Sequence, residues 1–300
     1  MRIRLSILYA VALSLVCGTV SAQQKVNADG VASIAMQFAC QPRTAASLAM
    51  AGIGVFDDAA FFVRDTGRVE LDLSYAMWER TSAVSTGDVD AGVKYRANSF
   101  LGVTVDMHIG KMKNTIPTNE SGDFLRNGRY SPSNLSLGLG ADFRVIRNVD
   151  VKLKARYLRS NFYLGQDYWA VAGDAVATGY FGPVGVAAGV ANIGPKVSGK
   201  YSLPSYALLG ATYGYKGIEA RLEGDYYFFG AFRLAAAASY TFKNIATVRL
   251  GYNMGKGTPL ENYASAGLGV RLFGIQLNLT YLFSDNPLNG TAGIGLNYKF

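Results

Sequence analysis

The amino-acid sequence predicts an all-β protein: a 14-stranded antiparallel transmembrane β-barrel with an N-terminal plug segment. Three observations lead to this prediction. The chain is rich in apolar and aromatic residues but lacks long apolar runs beyond its N-terminus. Apolar and polar residues alternate along most of its length. Short and long connections between the alternating segments follow each other in turn.

The composition excludes several classes of protein. Half of the 300 residues are hydrophobic and 12% are aromatic, whereas only 17% are charged. Soluble domains carry about 25% charged residues on average. With 2 cysteines and 1 histidine, the chain is neither a disulfide scaffold nor a His/Cys metal protein. Its net charge of +8 is a weak signal for nucleic acid, so no nucleic-acid partner is expected.

The N-terminus has the features of a secretory signal peptide. Arg2 and Arg4 precede the apolar residues 5–16, and the small residues 20–22 form a cleavage site. We therefore predict a signal peptide over residues 1–22, followed by the plug segment and the barrel.

Cys17 allows a second interpretation, in which it is the lipid-bearing residue of a lipoprotein. Val16 stands where such a site takes Gly, Ala or Ser, so the signal peptide is favoured. After cleavage Cys40 is the one remaining cysteine, and no internal disulfide is expected.

The barrel is predicted over residues 68–300 from alternation with a period of two. In residues 217–229 the four charged side chains share one parity, which a strand places on one face. Most segments have ten to thirteen residues, near the ~9–11 that a tilted strand needs to cross a bilayer. The predicted strands are 68–78, 87–97, 99–110, 134–145, 148–160, 167–181, 184–194, 203–215, 217–229, 231–242, 244–254, 263–272, 274–284 and 290–300.

The connections and the aromatic residues support a bacterial outer-membrane barrel. Connections after even-numbered strands are tight, and those after odd-numbered strands are mostly longer, with an exception near Gly230. Aromatic residues collect at strand ends, as interfacial girdles do. Tyr298 and Phe300 close the chain as a predicted C-terminal assembly signal. A soluble β-sandwich or propeller shows the same alternation, but fourteen long apolar faces need one continuous apolar solvent.

Charged residues on the opposite parity are expected to face the barrel lumen. Glu219, Glu223 and Asp225 are expected to face Arg233 across a hairpin. One interpretation is a salt-bridged lumen that stiffens the wall, and the other is a polar conduit that selects solutes. The predicted lumenal charge network comprises Glu219, Arg221, Glu223, Asp225, Arg233, Lys152, Lys154, Arg156, Arg249 and Arg271.

Residues 23–67 lack strand alternation and are predicted to fold into the lumen as a plug. Residues 45–55 are small and apolar, which suits packing inside a barrel. A periplasmic tail is the alternative, but its phenylalanines would be exposed to water. The predicted plug residues are Met50, Gly52, Gly54, Phe56, Phe61 and Phe62.

The segment GDFLRNGRYSPSNLSLGLG, residues 122–140, resembles one in PorV/PorQ-type proteins, a branch of the FadL-like outer-membrane barrels. Further matches follow in order at 191–194, 203–204, 248–252 and in the AGLGVRL strand, so the resemblance covers roughly residues 40–300. Residues 49–55 match the family's glycine-rich element. The tetrapeptide that usually follows it is replaced here by Phe61-Phe62-Val63-Arg64-Asp65.

The resemblance implies two alternative functions. One is protein export to the cell surface, as in type IX secretion, with exported cargo or secretion-system proteins as partners. The other is passive transport of hydrophobic small molecules, released through a lateral opening of the wall. The Gly/Ala-rich strands at 167–194 are the expected place of such an opening. The candidate outer-loop contacts are Phe124, Arg126, Arg129 and Tyr130.

No enzyme activity and no cofactor are expected. His108, the only histidine, lies inside a predicted strand, and no GxSxG, HExxH or P-loop motif occurs. The predicted location is the outer membrane of a Gram-negative bacterium, reached after Sec export. Its partners there would be outer-membrane lipid and the barrel-assembly machinery. A purely structural outer-membrane protein is the third alternative.

Overall fold

A computed structural model describes residues 34–59, 68–78, 86–112, 131–163, 166–286 and 288–300. The predicted signal peptide, residues 1–22, lies outside this part of the chain, as do Phe61 and Phe62. The described residues contain one closed antiparallel barrel and a short N-terminal segment inside it. No helix in these ranges is long and apolar enough to cross a membrane.

The predicted fold class is confirmed: 14 strands form a closed barrel in which each pairs with its sequence neighbours, and β1 pairs with β14. The strands are β1 Val69–Trp78, β2 Thr86–Arg96, β3 Leu101–Met112, β4 Ser133–Ile146, β5 Val149–Tyr163, β6 Gln166–Phe181, β7 Val184–Ile193, β8 Tyr206–Tyr215, β9 Ile218–Tyr227, β10 Phe232–Phe242, β11 Ala246–Lys256, β12 Tyr263–Leu272, β13 Ile275–Phe283 and β14 Ala292–Lys299.

Two predicted boundaries are wrong by three residues. The loop expected at 161–166 is largely strand, because β5 continues to Tyr163 and β6 begins at Gln166. The strand expected from residue 203 begins only at Tyr206, because residues 203–205 turn inward with Leu203 buried.

At one end of the barrel, which we call the turn rim, tight turns connect neighbouring strands. The pairs Lys216/Gly217, Lys243/Asn244 and Phe273/Gly274 all have positive φ angles. Two consecutive residues with positive φ are typical of two-residue hairpin turns, whose twist matches that of the strands. The other end, the loop rim, carries longer connections such as 194–205, 257–262 and 284–291.

The two faces of the wall differ in polarity, as the alternation predicts. Large apolar and aromatic side chains such as Leu139, Leu250 and Leu268 are exposed on the outer face. Charged residues including Asp142, Asp225 and Arg233 are buried on the inner face. An apolar outside around a closed sheet is the arrangement that hydrocarbon requires, because the first and last strands pair with each other and do not form open edges.

Residues 34–59 lie inside the lumen as a plug. After a 3-10 turn at Gln37–Cys40 they form two short helices, α1 Ala45–Ala49 and α2 Val55–Ala59. Thr44 begins α1 by accepting a hydrogen bond from the backbone N–H of Ser47 at 3.0 Å. Such a cap satisfies one of the backbone donors that a helix start leaves free.

Glycines in the wall allow α1 and the turn after it to approach the strands closely. A Cβ at Gly251 would lie 2.6 Å from the backbone nitrogen of Ala51. Gly267 faces Ala49 in the same way, and Gly293 and Gly295 face Ala45. The Ser265 hydroxyl donates to the carbonyl of Ala49 at 3.0 Å, so backbone polar groups of the plug are satisfied by the wall.

We predict that Gly251→Ala lowers the free energy of unfolding by about 1–3 kcal/mol, the usual cost of overpacking. The added methyl group collides with the backbone nitrogen and the Cβ of Ala51, neither of which can rotate out of the way. Gly92→Ala is the matched control, since its nearest heavy atom would be 3.9 Å away. Urea unfolding of the purified barrel, read by the mobility of the folded form on gels, measures both. Equal effects of the two variants would contradict the proposed contact.

Candidate functional site: the lumen and the β6–β7 seam

The plug runs through the lumen from the loop rim toward the turn rim. At the loop rim, the backbone N–H of Ala35 donates to the carbonyl of Ser202 at 3.0 Å. Further along, Ala45 and Ala51 lie against β1 and β11–β14. Near the turn rim, Asp57 on α2 accepts a hydrogen bond from Arg221 at 2.7 Å.

Three arginines of the wall each donate a hydrogen bond to a carbonyl oxygen of the plug backbone. Arg156 contacts the Ala39 carbonyl at 3.2 Å, and Arg233 contacts the Ala51 carbonyl at 2.7 Å. Arg221 reaches the Ile53 carbonyl at 3.5 Å. These three guanidinium groups therefore bind the plug backbone between residues 39 and 53, in addition to the contact from Ser265.

Arg233 is the most heavily bonded of these arginines. Its guanidinium donates to Glu223 at 2.9 Å and to Asp225 at 2.5 Å, and its Nε donates to Asn253 at 2.6 Å. All of these side chains are buried, and they come from β9, β10 and β11. A buried cation with this many charge-assisted bonds fixes neighbouring strands and the plug in one arrangement.

Arg156 belongs to a second buried cluster, near the loop rim. It donates to Asp174 at 2.7 Å and also to the side-chain oxygen of Asn192. The Asn192 amide in turn donates to the Cys40 sulfur at 3.2 Å and to the Pro204 carbonyl at 3.1 Å. Burial raises the pKa of the Cys40 thiol to about 12, so it remains protonated at neutral pH.

A third cluster surrounds the only histidine of the sequence. His108 Nδ1 lies 2.9 Å from Asp90, and its ring stacks on Phe38 of the plug with centroids 5.8 Å apart. Arg43 of the plug reaches Asp90 at 3.5 Å and Ser136 at 3.3 Å. These contacts give His108 a structural role in holding the plug.

The hydrogen-bonded ladder of the wall is interrupted between β6 and β7. The pairing shifts register between Gly173 and Ala175, and it ends with Gly173 opposite Ile193. Among the described residues, positions 166–172 of β6 have no partner on β7. We call this interruption the β6–β7 seam, comprising residues 166–175 and 190–194.

Asn192 and Gly194 form the seam on the β7 side. Asn192, one residue before the end of β7, has a left-handed backbone with φ of 58°, and its side chain lies in the Arg156 cluster. Gly194 then passes so close to the Val171 carbonyl that a side chain would collide with it. The seam is thus a built feature in which the chain turns from the wall into the lumen.

An apolar cluster lies directly behind the seam. Its wall side consists of Leu158, Ala170 and Ala172, all buried. Its lumenal side consists of Met36, Phe38 and Ala39 of the plug, with Val197 and Leu203 from the loop after β7. On the outer face of the same stretch, Trp169 and Val171 are exposed. Apolar side chains therefore line both sides of the wall where its ladder is incomplete.

Between the plug and the turn rim the lumen holds a polar cavity of about 670 Å³, which we call the vestibule. Its lining includes Arg221, Arg249 and Arg271 from β9, β11 and β12, together with Glu70 and Asp72 from β1. Thr44, Met50 and Phe56 of the plug form its inner end. The vestibule contrasts with the apolar cluster behind the seam, where buried side chains of the plug and the wall pack together.

The structure distributes the predicted lumenal charge network over several sites. Glu223, Asp225 and Arg233 come together as expected, but Glu219 pairs with Arg221 at 3.2 Å instead of Arg233. Lys154 contacts Asp106 at 2.6 Å, and Lys152 is buried on the same strand. Arg249 and Arg271 line the vestibule, away from the Arg233 cluster.

The remaining predicted site residues fall into two groups. Met50, Gly52, Gly54 and Phe56 lie in the described plug, where Met50 and Phe56 are buried. Tyr298 and Phe300 stack with ring centroids 5.2 Å apart at the end of β14. The candidate outer-loop contacts Phe124, Arg126, Arg129 and Tyr130 lie outside the described residues.

Sequence reasoning missed the asparagines that complete the clusters. Asn253 has the same parity as Arg249 on β11, so its place on the inner face could have been predicted from the alternation. Asn192 had no such signal, since its role depends on a left-handed backbone at the end of β7. Within the described ranges, no group of three or more His, Cys, Asp or Glu residues is arranged to hold a metal ion.

We predict that Arg233→Met lowers the free energy of unfolding by about 3–5 kcal/mol, because it leaves two carboxylates buried without their cation. Arg159→Met is the matched control, since Arg159 also contacts an aspartate at 2.5 Å but lies exposed. Its unfolding midpoint should not change. Adding Glu223→Gln and Asp225→Asn to Arg233→Met should recover part of the loss. A midpoint for Arg233→Met equal to that of the control would overturn this assignment.

Comparisons with known proteins identify the fold and leave the family open. No protein-family model matches the chain, and no curated protein matches its sequence. Among solved structures, the toluene transporter TbuX of Ralstonia pickettii is similar, with a TM-score of 0.63 and 10% identity. The match covers 88% of this chain and 100% of TbuX.

A deletion mutant of the monoaromatic hydrocarbon channel TodX is also similar, with a TM-score of 0.51 and 8% identity. The match covers 77% of this chain and 89% of the TodX mutant chain. At these identities the likeness concerns the fold alone. The chain therefore has the closed 14-stranded architecture of FadL-like outer-membrane barrels.

Proposed function

We propose that the protein is a passive outer-membrane transporter of hydrophobic small molecules, which leave the lumen through the β6–β7 seam. The observation that carries the proposal is the incomplete ladder at the seam with an apolar cluster directly behind it. The solved structures with a similar fold, TbuX and TodX, are described as a toluene transporter and a monoaromatic hydrocarbon channel.

The seam lowers the cost of opening the wall at one place. Opening an intact antiparallel ladder exposes paired backbone groups to hydrocarbon, and each unsatisfied group costs several kcal/mol. Among the described residues, positions 166–172 of β6 form no backbone pairs with β7, so opening the wall here breaks no such pairs. A molecule that passes here meets apolar side chains such as Leu158 inside the wall and Val171 outside it.

The plug and the loop after β7 close the route in this conformation. Met36, Phe38 and Leu203 fill the space behind the seam. Arg156, Asp174 and Asn192 hold these segments in place beside it. Transport would therefore require this apolar group to move aside, whereas the rest of the wall stays paired.

An outer-membrane location follows from the same proposal. The apolar outer face provides the contact with outer-membrane lipid, and Tyr298 and Phe300 offer a terminal aromatic strand to the barrel-assembly machinery. The export function that the PorV/PorQ resemblance implies has no comparable support. Its candidate contact residues lie outside the described chain, and the similar folds are transporters.

We predict that a disulfide across the seam blocks transport. Gly173 and Ile193 stand directly opposite each other, and a Cβ at Gly173 fits without a collision. Opposed antiparallel positions meet the Cα separation that a disulfide requires. In a Cys40→Ser background, oxidised Gly173→Cys/Ile193→Cys should reduce uptake of radiolabelled toluene by proteoliposomes at least about 5-fold, and reduction should restore it.

Val248→Cys/Leu268→Cys is the matched control, because these residues are also opposed on the outer face but lie in an intact ladder between β11 and β12. Oxidation of this pair should leave uptake unchanged. Full uptake with the seam disulfide formed would refute release through the seam. If the unmodified protein takes up neither toluene nor any of a panel of longer hydrophobic probes, the proposed function itself is refuted.

A further inference from the structure

The vestibule is a polar cavity with an excess of positive charge. Six of its lining side chains are basic and four are acidic. Its volume of about 670 Å³ lies within the range of small-molecule binding sites, ~300–1,000 Å³. Polar residues line most of it, so a hydrocarbon is not the ligand it fits. This cavity has no part in the proposed transport route, which leaves the lumen near the loop rim.

The acidic side chains of the vestibule are already engaged with other partners. Arg221 binds both Asp57, at 2.7 Å, and Glu219, at 3.2 Å. On the opposite side, Glu70 lies 3.3 Å from Lys299 and 3.9 Å from Lys94. Asp72 accepts a hydrogen bond from the Asn297 amide at 2.6 Å.

Arg249 on β11 lines the vestibule, and among the described residues no carboxylate forms a direct ion pair with it, since the nearby Asp57 and Glu219 are bound to Arg221. The Arg249 side chain is buried, with 9% of its surface exposed. Among the described residues, its Nη1 atom has no hydrogen-bond acceptor. A buried guanidinium donor without an acceptor is costly, and structures retain such a group where something else completes it.

The wall around Arg249 is shaped to admit its guanidinium. Gly269 lies on the neighbouring strand β12, and a Cβ there would stand 2.8 Å from Arg249 Nη1. The same Cβ would stand 2.9 Å from Asn278 Oδ1 and 3.2 Å from Gln276 Nε2. Arg271 donates to Gln276 at 2.6 Å, so a second guanidinium belongs to the same group.

We propose that the vestibule is a binding site for a small oxyanion, a carboxylate or a phosphate, anchored by Arg249 with help from Arg271. A guanidinium presents paired N–H donors that match two oxygens of either anion. The side-chain amides of Gln276 and Asn278 supply further polar contacts at the same place. The anion supplies a direct ion-pair partner, which the nearby carboxylates of Asp57 and Glu219 do not because both are bound to Arg221.

The binding test uses the full-length protein purified in detergent and titrated calorimetrically with inorganic phosphate and, separately, with succinate. At least one anion should bind to the unmodified protein. Arg249→Met should weaken that binding at least 10-fold, and Arg249→Lys should weaken it less. Lys243→Gln should leave it unchanged, because Lys243 stands on the turn rim over Phe242 and does not line the vestibule.

The two anions distinguish the chemistry of the ligand: binding of phosphate alone assigns a phosphate site, and binding of succinate alone assigns a carboxylate site.

Thermal unfolding of Arg249→Met shows whether Arg249 binds the anion or only stabilises the fold. Without anion this variant should be as stable as the unmodified protein or more stable, and added anion should no longer raise its melting temperature. Failure of both anions to bind, or equal binding by Arg249→Met, would overturn the proposal.

Discussion

Closure of the sheet into a single ring, with β1 paired to β14, is the constraint on which the rest of this structure depends. A hydrocarbon environment offers no partner to a free N–H or carbonyl group, so the first and last strands must meet. They do so through Phe300, whose carbonyl accepts hydrogen bonds from the backbone of Arg68 and Val69 at 2.9 Å. The charged lumen, the plug and the seam all exist inside the enclosure that this closure creates.

Within that enclosure the burial of charge is balanced by contacts with the plug. Arg156, Arg221 and Arg233 each bind carboxylates of the described chain and a carbonyl oxygen of the plug backbone. The same cations therefore stabilise the wall and hold the plug. Opening the lumen would break charge-assisted bonds, which explains how a short segment with two one-turn helices keeps a fixed position.

The strands could be predicted from the sequence because a repeated pattern determines them. The exact position of the seam could not, because it depends on the backbone conformation of one residue. Alternation along the chain yields all 14 strands and the inward parity of residues such as Glu223 and Arg233, because one residue of slippage would expose charge to lipid. In the sequence, only the Gly/Ala-rich composition of residues 167–194 indicated where the wall is interrupted. The position of the seam depends on the turn at Asn192 and on contacts with Cys40, which lies 152 residues away.

The seating of α1 on glycines of the last strands, β11, β12 and β14, has a consequence for the order of folding. Ala45 and Ala49 are made early, yet their hydrogen-bond partners Thr280 and Ser265 follow 235 and 216 residues later. Contacts so distant in sequence form late, because the entropy of closing the intervening chain must be overcome first. The helix α1 therefore cannot take its final position until β11–β14 are in place, and its docking there accompanies the completion of the barrel.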